Sequence, residues 1–457
     1  MSTGVAANPL GSEKISKLLP RFALPSVVGM LSGALYNIID QIFIGRVVGY
    51  LGMGATNVDM PITMIALAAG LLFGVGGASC FSLTLGAGNK EKAARYMGSA
   101  VFWMAAIGLV LMAGVRLFLG PLVVALGASE EVLPYSLIYS GTVLWGLPAS
   151  VLSIGMGHLI RADGKPGYSM LCAVTGCGLN MALDALFLYG LNLGIAGAAW
   201  ATVISQYAAM FMGLLYLAGK KRLSRKTLKP SVGVTLGILS IGAASCFNQI
   251  TFSAVQIALN KTLTHYGALS PYGPDIPLAA VGAVMKTNML FMSVVIGVSQ
   301  GCQPIIGFNY GARQYARVRQ AYKLAVIVSM CVSVSAFLCY QLFPWQFAAL
   351  FNSGDAVFQE FTVRCFRVFL MLSFLAGIQP ITSNFFSSIG KAFMGIFISL
   401  TRQLIFFLPL LFIFPRVWGI DGVLYVSPAA DLAAFTTAVV LVTRELRRIK
   451  GLEEGFV

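Results

Sequence analysis

A chain of 457 residues that is 58% apolar and only 10% charged, with a mean hydropathy of +0.83, is not a water-soluble globule. Apolar runs of about 20–25 residues alternate with short polar breaks, the pattern of a helical protein that crosses a membrane many times. The net charge of +15 sits in those breaks without interleaved aromatic residues. It reads as the positive-inside signal and argues against nucleic acid as a partner.

In chain order, the polar start MSTGVAANPLGSEKISKLLPR has no apolar core before a small-residue cleavage site, so no cleaved signal peptide is expected. Twelve spans are predicted, at 22–46, 58–85, 96–118, 133–159, 168–190, 195–218, 233–260, 279–306, 321–343, 362–386, 393–414 and 420–442. The first carries Tyr36 and Asp40 at i, i+4. The fifth and sixth carry Asn180 with Asp184 and Thr202 with Gln206 at the same spacing, which puts each pair on one helix face. A carboxylate at mid-membrane costs roughly 2.5–3.5 kcal/mol even on the gentlest scale. Asp40, Asn180, Asp184 and Thr202 together would make a hard-oxygen cluster suited to Na⁺, or to a proton on the carboxylates. The plainer alternative is that each is a packing hydrogen bond between helices.

The block KKRLSRKTLK at 220–229 has six basic residues and no acidic one, and it divides the chain. The expected parts are a first lobe over 1–219, a basic linker over 220–230 and a second lobe over 231–457. Beyond the linker, span 7 has a neutral stripe of Gln249, Ser253, Gln256 and Asn260, and span 10 offers Gln379, Ser383 and Ser387. These faces would line a substrate cavity or glue helices together. Met156, Met285, Met289, Phe252 and Phe374 would supply an adaptable apolar surface there, or ordinary packing. Three more charges fall inside spans: Lys286 in the eighth, Arg402 in the eleventh and Asp431 in the twelfth. Arg402 and Asp431 are expected to pair; Lys286 has no evident mate.

The two halves look alike. Gly74 and Gly88 recur as Gly297 and Gly311, Gly164-Lys165 as Gly390-Lys391, and GIAG at 194–197 as GIDG at 419–422. Matches in order at an offset of about 225 positions mark an internal duplication. Six spans per half is even, so the repeats are parallel, with their pseudo-twofold axis along the membrane normal and a cavity between them. Most of the 31 basic residues fall in the two tails and the even-numbered loops; the other side holds Arg46, Arg116, Lys261, Arg364, Arg367 and Arg416. Both termini are therefore expected in the cytoplasm. The eight cysteines form no CxxC pair and read as small buried thiols. No GxxxxGK[ST] loop, HExxH or aspartate-rich Mg²⁺ motif is present, so neither an ATP-driven pump nor an enzyme is expected.

ALPSVVGMLSGALYNIIDQIFIGRVVG, FGVGGASCFSLTLGAGNKEKA, IRADGKPGYSM, GLNMALDALFLYGLNLGIAGAAWATVISQ and GCQPIIGFNYGA resemble the multidrug and toxic compound extrusion (MATE) family, in its bacterial MepA-like branch. The resemblance covers about 20–445. It implies an all-α integral membrane fold of twelve helices in two six-helix lobes, exporting lipophilic cations in exchange for Na⁺ or H⁺. It matches Asp40, Asn180, Asp184 and Thr202 to a cation site in the first lobe, with Tyr36, Tyr139 and Gln206 lining the chamber. Some members place acidic residues in helices 7 and 10; here those helices carry Asn248, Gln249, Gln256 and Gln379, which puts a second-lobe cation site in doubt.

The expected function is therefore cation-coupled antiport by alternating access, by a monomer in the bacterial cytoplasmic membrane. No cofactor is expected beyond the coupling ion. The rival within transporters is a lipid-linked oligosaccharide flippase of the same superfamily, which would want a basic cavity for pyrophosphate; only Lys286 and Arg402 are available. A channel would not need paired lobes.

Overall fold

The structure, a computed structural model, describes residues 8–219, 225–351 and 356–454; part of the basic linker, 220–224, lies outside them. The described elements are all helical. Nine of the long helices are simple spans: α1 Ile15–Val47, α2 Tyr50–Gly86, α3 Lys90–Leu117, α4 Leu133–Ala162, α5 Pro166–Gly190, α6 Gly194–Gly219, α7 Val232–Ala268, α8 Asp275–Gly311 and α9 Tyr315–Leu342. The next, α10, is Ala356–Phe369 and Ser373–Ser388, bent by 47° between them.

The last helical stretch, Ala392–Glu454, is 63 residues long. Straight, it would reach about 95 Å, some three times the hydrocarbon core. It is not straight. Gly419 leaves the helix at φ 59°, ψ −136°, a region open to glycine and strained for a side chain. Arg402 meets Asp431 at 2.5 Å, a contact that a straight helix would spread over about 43 Å. The chain therefore folds back at Gly419 into α11 (392–418) and α12 (420–454), which completes the twelve expected spans. Arg364 of α10 holds the turn through Asp421 at 2.8 Å.

Lipid gives helices no hydrophobic reason to associate, so close approach through small residues does the work. The seam between the halves is built this way, and it repeats. Gly76 lies against the Ile238 carbonyl and Gly242 against that of Leu72, joining α2 to α7. Gly301 lies against Ala23 and Gly297 against Val27, joining α8 to α1 in the mirrored order. At the end of the seam, Gly86 touches the Phe308 carbonyl and Gly311 touches that of Leu83. Each contact has its partner under the same offset of about 225 positions for α2 and α8, so the duplication legible in the sequence is a physical pseudo-twofold. A Cβ at Gly242 would come within 1.8 Å of the Leu72 oxygen, so no other residue fits there without separating the helices.

The two ends of the described chain share one face, called here the terminal side. Arg317, at the start of α9, donates to the Glu13 carbonyl at 2.7 Å and to that of Leu10 at 3.1 Å. Its neighbour Arg319 pairs with Glu453 near the end of α12. The described part of the linker packs on α3, where Gly98 leaves room for the Thr227 carbonyl. Away from the seam each half keeps an apolar core of its own, around Met97, Met104 and Leu159 in the first and Tyr340, Phe361 and Phe366 in the second.

Candidate functional site

The first half brings the polar residues of α1, α5 and α6 together. Asp184 is fully buried and Asn180 is 1% exposed, with Asp40 and Thr202 also buried. The i, i+4 spacing on α5 stacks Asn180 one turn above Asp184. The Asn180 amide is oriented so that its nitrogen donates to Asp184 Oδ2 at 3.0 Å and its oxygen accepts from the Thr202 backbone N–H at 3.3 Å. That orientation is assigned from the hydrogen bonds it completes. The carboxyl groups of Asp40 and Asp184 lie within hydrogen-bonding reach of each other. One oxygen of each, Oδ1, is buried with no protein partner. Neither carboxylate forms an ion pair with Lys or Arg among the described residues, unlike Asp431 and Asp421, which do.

Two tyrosines close the cluster. Tyr36, one turn before Asp40, sits among Asp40, Asp184 and Cys177. Tyr139, buried on α4, lies near Asp40, Tyr36 and Asp184, and near a third carboxylate, Asp59 of α2. Sequence reading missed Asp59. It draws no notice at the edge of a span predicted over 58–85; α2 in fact begins at Tyr50, which places Asp59 inward, where it is 2% exposed. Thr56, one turn earlier, accepts from Gln41 Nε2 at 3.0 Å, so α1 and α2 are tied next to both acids. Gln206 is placed apart from this network: its Oε1 is buried against Gly146, in the 3-10 turn of α4.

The expected cavity residues divide. Gln379 is committed to α11, donating to the carbonyls of Ile398 at 2.9 Å and Ser399 at 3.3 Å. Ser383 bonds Ser399 at 2.6 Å, and Ser387 packs beside Gly395. The α10 stripe is thus glue between α10 and α11, because amides and hydroxyls facing a neighbouring backbone satisfy it more cheaply than they face lipid. Met156, 1% exposed and packed on Gly213, belongs to the core of the first half. Met285 packs on the core of the second. Gln249 donates to the Met64 sulfur across the seam at 3.1 Å. Gln256 lies half-buried beside the exposed Asn260, and Met289 is 52% exposed. Lys286 is exposed on α8, about three turns from Gly297 and so on the face that meets α1. Arg402 is engaged by Asp431.

A polar latch crosses the seam nearer the terminal side. Arg161 of α4 donates to Ser169 Oγ at 3.0 Å and across to Gln300 Oε1 of α8 at 3.1 Å. Gln303 of α8 donates to Ser79 Oγ of α2 at 2.8 Å. These residues read in the sequence as loop and motif letters; only the pairing of α8 with α2 and α4 gives them a shared task.

Set beside known proteins, the chain matches the family model MatE twice, over residues 25–186 and 244–413. It is 24% identical over 431 residues to the multidrug export protein MepA of Staphylococcus aureus (strain MRSA252), covering 94% of this chain and 93% of that one. MepA of Staphylococcus haemolyticus (strain JCSC1435) is 25% identical, with 94% of each chain covered. Among solved structures, the MATE multidrug transporter DinF-BH superposes with a TM-score of 0.88 at 31% identity, covering 95% of this chain and 96% of that one. An outward-facing MATE transporter of the MOP superfamily gives 0.89 at 24% identity, covering 98% and 99%. A membrane fold of paired helix bundles, a duplicated family match and a buried acidic cluster in the first half agree: this chain belongs to the MatE family of multidrug and toxic compound extrusion transporters.

Proposed function

We propose that this chain exports lipophilic organic cations in exchange for a coupling cation, as a monomer whose two lobes, 1–219 and 231–457, rock about the α2–α7 and α8–α1 seam. The observation that carries the reading is the Asp40–Asp184 pair, buried, facing one another and lacking a basic partner among the described residues. Two such carboxylates cannot both stay ionised cheaply. One shared proton turns their repulsion into a hydrogen bond, and the contact between them supports H⁺ as the coupling ion. Na⁺ is the alternative, since the same carboxyl, amide and hydroxyl oxygens suit a hard cation.

Alternating access needs two seams of similar strength. The terminal-side seam is held by glycine contacts and by cross-half side-chain hydrogen bonds, among them Arg161–Gln300, Gln303–Ser79, Trp103–Thr235 and those of Arg317 to the Leu10 and Glu13 carbonyls. Each such bond contributes only about 0.5–1.5 kcal/mol net, so the latch can open without unfolding either lobe. Its placement supports a state closed on the terminal side, which the basic loops assign to the cytoplasm of a bacterial plasma membrane. A gradient of one pH unit supplies about 1.4 kcal/mol per proton and 100 mV about 2.3 kcal/mol per charge. A lipid-linked oligosaccharide flippase has less support, because of the two span cations expected to meet a pyrophosphate, Lys286 and Arg402, the second is already paired with Asp431.

The test is efflux of a fluorescent cation such as a rhodamine dye from proteoliposomes, with pH and Na⁺ gradients imposed separately. Asp40→Asn and Asp184→Asn, which keep shape and remove charge, should fold and lose gradient-driven efflux. Wild-type pumping by the double variant would return both residues to helix packing.

A further inference from the structure

The coupling reading leaves one buried acid unused. Asp59 sits in α2, 2% exposed, and among the described residues no Lys or Arg pairs with it. Three other buried or half-buried acids among the described residues have a basic partner: Asp431 has Arg402, Asp421 has Arg364 and Glu445 has Lys391. Asp59 stands instead with Asp40 and Asp184. The groups facing it are polar and neutral. Ser140 of α4 lies beside its carboxyl, and Ser136, one turn earlier on α4, is fully buried. Tyr139 is the titratable group near it, and it lies near Asp40 and Asp184 as well. From α1 the adjacent contact is Gln41 to Thr56. Asp59 Oδ1 is buried with no further partner, and so is Ser136 Oγ, one turn from Ser140 on α4.

A buried acid with hydroxyl neighbours and no basic partner is costly for a purely structural site. It suits a site that changes its proton count. A hydroxyl can donate or accept. Serine and tyrosine hydroxyls can therefore donate to Asp59 when it is ionised and accept from its O–H when it is protonated, with only their rotors turning. Resting on the antiport reading, we propose that Asp59, with Ser136, Tyr139 and Ser140, is a second proton-holding site, so that each cycle exchanges two protons for one substrate molecule. One proton is shared by Asp40 and Asp184; the other binds a carboxylate oxygen of Asp59 from water on one side and returns to water on the other.

The experiment is a static-head measurement in proteoliposomes with the membrane potential clamped at zero and one pH unit across the bilayer. Each exchanged proton then supports a tenfold gradient of the rhodamine dye, whose charge is irrelevant at zero potential. Wild type should reach about 100-fold and Asp59→Asn about tenfold. An Asp59→Asn gradient equal to that of wild type, or a wild-type gradient of only tenfold, overturns the second site. If Asp59→Asn does not fold, judged by its melting profile in detergent, Asp59→Ser carries the same test with a hydroxyl matching its neighbours. Failure of the antiport reading looks different. There Asp40→Asn would still build a gradient, whereas collapse in Asp40→Asn beside an undiminished gradient in Asp59→Asn removes the present inference alone.

Discussion

Removing the guanidinium of Arg402 isolates the contribution of one buried ion pair in the second half. Arg402 Nε donates to Asp431 Oδ1 at 2.5 Å, with the Asp431 side chain 2% exposed and that of Arg402 25% exposed. The pair ties α11, within its π-helical stretch Thr401–Phe407, to α12 across the turn at Gly419. In Arg402→Ala the carboxylate stays buried, with only the Ser427 hydroxyl beside it. Breaking a buried pair from one side costs about 3–5 kcal/mol, or roughly two to four orders of magnitude in the unfolding equilibrium. The internal comparison is Arg21–Glu13, whose side chains are 56% and 39% exposed; an exposed pair of that kind is worth about 0–1 kcal/mol. Unfolding in mixed detergent, followed by tryptophan fluorescence, should therefore show a large loss for Arg402→Ala and almost none for Arg21→Ala. Arg402→Leu combined with Asp431→Leu should recover most of the loss, because two apolar side chains leave no charge stranded. The reasoning fails if Arg402→Ala is no worse than Arg21→Ala, or if the double variant is no better than the worse single one.

Two further outcomes follow from the seam and from the placement of the ends. Gly242→Ala would set a methyl group 1.8 Å from the Leu72 oxygen, where real contacts need 3.0 Å or more. It should leave both lobes folded but part α2 from α7, so that a disulfide between cysteines placed at Ser79 and Gln303 forms less readily; undiminished crosslinking would refute the seam as a gate. For orientation, in a cysteine-free background Thr227→Cys should be shielded from impermeant reagents in intact cells and Gly273→Cys should label, and labelling of both from outside would overturn cytoplasmic termini.

Much of this protein is legible along its chain because its solvent is uniform. Lipid imposes one length on every crossing and one rule on every backbone group, so hydropathy alone marks the spans, and an even number of them puts both ends on one face. The i, i+4 pairs Asn180–Asp184 and Tyr36–Asp40 are local too, since a helix fixes which side chains share a face. The offset glycines announced the duplication. What a linear reading could not reach is which helix faces which. Gln379 and Gln249 look alike as lone amides in apolar runs, yet one bonds the α11 backbone and the other reaches a sulfur across the seam. Met156 reads as cavity lining or as packing along the chain, and it lies in the core. Asp59 draws no notice at the edge of the predicted span over 58–85, and the earlier start of α2 places it inward, near Tyr139. Burial is set by the neighbour a side chain meets, and for Asp59 that neighbour lies on α4, beyond the whole of α3. Local spacing therefore fixed each polar face, and only the packing of α1, α2, α4, α5 and α6 decided that three carboxylates would share one apolar enclosure.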